Sequence, residues 1–91
     1  MGNDFEIRFH EPERILEVRY PSRPTLDAYD RYEKAVKETI ASLEPGWYCL
    51  VDQSSLKVMP PELPPRIAEL NAWAKSHGMS RTARVVQPSA T

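Results

Sequence analysis

A single cysteine stands among the 91 residues, so the chain forms no internal disulfide and can build neither a zinc ribbon nor a CxxC redox motif. A lone thiol suits a reducing compartment, and a cytoplasmic location is expected. Glycine is scarce at three residues, and nothing resembles a glycine-rich phosphate loop. Excess charge is missing as well. Twelve basic against 13 acidic residues leave a formal net charge of -1, which excludes a nucleic-acid binder that draws its affinity from positive charge. No apolar run approaches the roughly 20 residues of a membrane span, and the acidic start does not read as a signal peptide. Two histidines, His10 and His77, are too few for a metal site without a third clustered ligand. No Ser/His/Asp arrangement or carboxylate dyad is present. An enzyme therefore ranks last among the readings, and no cofactor is expected.

What the chain does have is proline, nine residues in all, well above the usual share of about 5%. Hydrophobic residues at 41% and charged residues at 27% are ordinary for a folded protein. The length fits one domain covering 1–91, since domains run from about 50 to 250 residues.

Phe5-Glu6-Ile7-Arg8-Phe9-His10 alternates apolar and polar residues, the period of a half-buried strand. Glu11-Pro12-Glu13-Arg14 breaks it, and Ile15-Leu16-Glu17-Val18-Arg19-Tyr20 resumes it, predicting an antiparallel hairpin. Thr25 is placed to cap a helix, with Asp27 in the first turn where negative charge is favoured. Leu26, Tyr29, Tyr32, Val36, Ile40 and Leu43 then form one apolar stripe at helical spacing. Asp30/Lys34, Glu33/Lys37 and Lys34/Glu38 are candidate i,i+4 pairs on its polar side. Glu44-Pro45-Gly46 stops the helix.

Trp47-Tyr48-Cys49-Leu50-Val51 is apolar without alternation, as in a strand covered on both faces, and Asp52 closes it. Residues 53–65 read as a loop in which four prolines remove donors and favour extended geometry. Pro64 or Pro65 opens a second helix, Ile67, Leu70 and Ala74 keep its apolar spacing, and Gly78 supplies a C′ residue. Thr82-Ala83-Arg84-Val85-Val86 is a short last strand, in which Arg81 and Arg84 are expected to mark a solvated face. Residues 87–91 read as a loose end. The order β-β-α-β-α-β predicts an α/β fold, a hairpin followed by right-handed parallel crossovers with both helices on one face. Something must then cover the other face of the central strand. A second copy of the chain or a missing C-terminal segment is the natural candidate, and a homodimer is expected.

This order, with Asp52 ending the central strand ahead of a long loop and second helix, resembles the STAS-like (SpoIIAA-like) domains of anti-sigma factor antagonists. The segments that carry the resemblance are Ile15 to Tyr20 with the Pro-Thr-Leu-Asp helix start, Trp47 to Asp52, and Arg81 to Val86. It is similar above all to a divergent, uncharacterised bacterial branch. The resemblance implies a SpoIIAA-like βα superhelix and a non-enzymatic, protein-binding role. Family members are usually longer, so a further C-terminal strand or helix is expected to be missing here. In the antagonists a phosphoserine lies some eight residues past the strand-ending Asp. That position falls at Pro60 to Glu62, where no hydroxyl is available. The resemblance therefore implies no phosphorylation switch at this site.

The candidate binding surface comprises Asp52, Ser54, Ser55, Lys57, Met59 and Trp73. Asp52 with the two serines could floor a polar pocket, since the carboxyl ends of strands in open α/β sheets are where ligands bind. It could equally be a turn in which Asp and Ser bond nearby amides. Leu56-Lys57-Val58-Met59-Pro60-Pro61 offers adaptable apolar groups on a stiffened loop, or packs over the sheet edge. Trp73 anchors either a partner or the core, and Tyr32 and Trp47 read as core. Cys49 reads as a buried, inert thiol, and both histidines as solvated. The leading reading is a protein-interaction domain that docks loop 53–62 and the second helix on an unidentified protein. The alternative is a small-molecule or lipid-binding module with its pocket at the carboxyl end of the central strand.

Overall fold

Residues 4–86 are described by a computed structural model, and the tail 87–91, read as a loose end, lies outside them. The hairpin consists of β1 (Glu6–His10) and β2 (Ile15–Arg19), antiparallel with Phe9 opposite Leu16 and Ile7 opposite Val18. Its turn contains a cis Glu11–Pro12 peptide and Arg14 at φ 61°. The Arg14 guanidinium donates to the carbonyls of Glu44 and, at 3.2 Å, Pro45. The hairpin turn is thus tied to the turn that leaves the first helix.

Helix α1 (Leu26–Ala41) starts where Thr25 Oγ1 accepts from the Ala28 amide at 3.1 Å, satisfying one of the free donors of the first turn. Its buried stripe is Ala28, Tyr29, Tyr32, Val36 and Ile40. Leu26, expected in that stripe, is 41% exposed; it is the first helical residue, and Ala28 faces the core at that end instead. The acidic side chains also depart from expectation. Asp30 and Glu33 reach across to Arg66 of the second helix, at 2.8 and 2.9 Å. One guanidinium offers two carboxylates a planar donor set that a flexible lysine on the same helix cannot match.

The remaining elements are β3 (Trp47–Gln53), α2 (Leu63–Lys75) and β4 (Met79–Val86). Prolines occupy the first turn of α2, where a missing N–H costs nothing. Gly78 adopts φ 100°, and its carbonyl accepts from the Gly46 amide at 2.8 Å. Strand order is β1-β2-β3-β4, with β2, β3 and β4 parallel. This mixed sheet agrees with the predicted α/β order.

Both helices contribute to one core on one face of the sheet, together with Leu16, Val18, Tyr20 and Trp47. The register makes the two faces explicit. Leu16 pairs with Cys49 and Cys49 with Thr82, and Val18 pairs with Val51 and Val51 with Arg84. The opposite face carries Glu6, Arg8, Glu17, Arg19 and Asp52 on one side, and Tyr48, Leu50, Ala83 and Val85 on the other. Tyr48 and Val85 are each 43% exposed there. Among the described residues β3 is therefore covered on one face only.

Candidate functional site

Helix α2 stands off the sheet enough to leave a cavity of about 210 Å³ between itself, α1 and strands β2 to β4. Its walls include Leu16, Tyr20, Val36, Ile40, Cys49 and Leu70, and the more exposed Gln53, Asn71, Thr82 and Arg84 form its rim. A shallower groove of about 270 Å³, lined in part by Met59, Pro64 and Ala68, shares Gln53, Ile67, Asn71 and Arg84 with it. The two spaces meet near the carboxyl ends of β3 and β4 and the start of α2, the position ligands favour in open α/β sheets.

Burial controls the ionisable groups on the walls. It pushes the Cys49 thiol up to about 11, with a Thr82 hydrogen bond pulling slightly the other way. That thiol stays protonated and unreactive near neutral pH. Burial also pushes the Tyr20 phenol up to about 12, against the influence of Gln53 and Arg84. Tyr32 is raised by the same cause. The cavity is thus lined by groups that are neutral at neutral pH, apart from Arg84.

The six residues expected to form a binding surface do not converge. The Asp52 carboxylate accepts from the Ser54 amide at 2.9 Å and the Ser54 hydroxyl at 2.6 Å, and Arg19 Nε lies 3.3 Å away. Asp52 and Ser54 therefore adopt the turn arrangement, with Asp52 on the open face beside Arg19. The Ser54 hydrogen bonds hold the Asp52 carboxyl below the usual carboxylate range, and Arg19 adds to the effect. Ser55 lines a separate depression with Asp4, Glu6 and Arg19. Lys57 is exposed, and its amide donates to the Ser22 carbonyl at 2.8 Å. Met59 alone of the six reaches the groove beside the cavity. Trp73 stacks on His77, with ring centroids 3.9 Å apart and Lys37 Nζ 5.3 Å from the ring, outside the cavity.

Arg81 and Arg84 are both exposed, as expected, but they do not share a face, since residues three apart on a strand point to opposite sides. Arg81 pairs with Tyr48 on the open face and Arg84 with Val51 on the cavity face. The signal for Asn71 was also available: it lies four residues after Ile67 and so interrupts the apolar stripe of α2 with an amide. Among the described residues, no group of three or more His, Cys, Asp and Glu side chains is arranged to hold a metal ion, and no helix is long and apolar enough to cross a membrane. Compared with protein-family models, curated proteins and solved structures, the chain matches none.

Proposed function

We propose that this chain is a non-enzymatic, STAS-like binding module that holds a small, largely apolar molecule between its sheet and α2. The observation that carries this reading is the partly open cavity of about 210 Å³ beneath α2, whose walls are largely core residues. Protein interiors are close-packed, so unfilled apolar space of this size weakens the packing of its walls. An apolar cavity of about 150 Å³ already accepts benzene. The element order β-β-α-β-α-β supports the STAS-like part of the proposal.

A thermal-shift panel of small aromatic and aliphatic compounds tests it. A ligand selective for the folded state raises the melting temperature in proportion to RT ln(1 + [L]/Kd). Ala74→Leu, which adds three carbons to a buried wall residue, is expected to abolish the shift. Should no compound move the melting temperature at millimolar concentration, the cavity reading is wrong.

A second reading, docking of a protein partner on loop 53–62 and α2, rests on Val58. This residue is 53% exposed on a loop pinned by the Lys57 and Val58 amides to the Ser22 carbonyl, at 2.8 and 3.2 Å. Capture of a partner that survives Lys57→Glu together with Val58→Asp would remove it. The exposed apolar half of the open sheet face supports a homodimer, and a monomer mass by light scattering at micromolar concentration would count against that.

A further inference from the structure

We infer that the molecule held beneath α2 is a medium-chain carboxylate, its tail in the cavity and its charged head on Arg84; this rests on the cavity reading above. Among the described residues Arg84 is the one charged side chain lining either the cavity or the adjoining groove, and no Asp or Glu lines them. It makes no ion pair among the described residues, whereas Arg19, Arg31 and Arg66 all do. Its place is fixed by register with Val51, so the guanidinium belongs to the cavity side of the sheet while remaining exposed. A cation next to apolar walls asks for a ligand that is anionic at one end only. Gln53 and Asn71 stand on the same shared rim and supply neutral donors beside it. Arginine also suits a carboxylate geometrically, since its planar fork can donate two parallel hydrogen bonds.

Size selects the chain length. A cavity of about 150 Å³ takes the six carbons of benzene, so a space of about 210 Å³ takes about eight, and an eight-carbon acid fills it with its carboxylate at the rim. Each buried methylene is expected to tighten binding about threefold to fourfold until the space is full.

The experiment is isothermal titration of sodium octanoate, sodium hexanoate and 1-octanol into the wild-type chain and into Arg84→Gln and Arg84→Lys. Melting temperatures establish that each variant is folded. The wild type is expected to bind octanoate about tenfold more tightly than hexanoate, and fivefold to tenfold more tightly than octanol. Arg84→Gln is expected to bind octanoate and octanol alike, with octanol unchanged from wild type, and Arg84→Lys to recover part of the preference. A change in Trp47 fluorescence on octanoate binding is the independent readout, because Trp47 lines the cavity. Equal binding of octanoate and octanol to the wild type would overturn the role of Arg84 and leave an uncharged ligand in the cavity. Binding of neither would overturn both this inference and the cavity reading.

Discussion

Val51 on β3 and Arg84 on β4 are register partners, so a guanidinium leaves the last strand on the face that also carries Leu16 and Val18. Three residues earlier, Arg81 partners Tyr48 and leaves on the other face. A single odd step along a strand thus separates an arginine beside the core cavity from one beside the open apolar half of the sheet. The distinction matters chemically, because charge at the mouth of a recessed apolar space can select ligands while charge on an open face is screened.

Gly78 and Gly46 both have positive φ, at 100° and 97°, but differ in room. A Cβ on Gly78 would lie 2.7 Å from the Pro45 Cα, whereas one on Gly46 would meet only the Arg14 side chain at 3.7 Å. Gly46→Ala is expected to cost about 1 kcal/mol, the conformational penalty alone. Gly78→Ala is expected to cost about 3 kcal/mol or more, since backbone must also move. Urea denaturation of both variants checks the order.

Arg66 clamps the two helices by donating to Asp30 and Glu33, and its guanidinium carbon lies 4.7 Å from the centroid of the Tyr29 ring. Replacing it with alanine is expected to cost about 1 to 2 kcal/mol, partly exposed as these pairs are. Arg66→Lys should recover less than half, because an ammonium cannot reproduce the fork. The cost is expected to shrink in high salt, measured by denaturation with and without added sodium chloride.

Alkaline pH is expected to unfold the domain through its tyrosines. Burial raises Tyr20 to about 12 and raises Tyr32 and Tyr29 in the same direction. The unfolded chain releases these protons near pH 10 while the fold retains them. Stability is therefore full below about pH 10 and falls as pH rises towards the folded values. Tyrosinate absorbance should appear together with loss of helical circular dichroism, and Tyr20→Phe should flatten the loss. The Tyr29 hydroxyl is buried with no hydrogen-bond partner among the described residues, so Tyr29→Phe is expected to be neutral or stabilising by up to about 1 kcal/mol.

Acid acts through Asp52. Hydrogen bonds from Ser54, helped by Arg19, hold its carboxyl low, so its contribution is present above the ordinary carboxylate value of about 4 and is lost as pH falls through the lower folded value. Asp52→Asn is expected to show a shallower loss of stability between about pH 5 and about pH 2 than the wild type. Melting temperatures across that interval give the comparison.

Much of the fold was legible because local signals agreed. Alternation fixed the hairpin, the Thr25 cap and the Tyr29-to-Ile40 spacing fixed α1, and the paired prolines opened α2. The site was less legible. Asp52, Ser54 and Trp73 drew notice as chemically distinctive side chains, yet their partners are near neighbours: Ser54 for Asp52, and His77 for Trp73. A cavity arises from how far a helix stands from a sheet, which depends on side chains from four or five elements at once. Arg84 and Asn71 were readable from strand parity and helical spacing, whereas the space between them was not.

The most direct measurement is a crystal structure of the chain under xenon pressure, since a preformed apolar cavity takes up xenon without any polar recognition. The account predicts a xenon atom between Cys49, Ile67 and Leu70, with the surrounding side chains unmoved. An α2 seated against β3 and β4 with no room for the gas would contradict it.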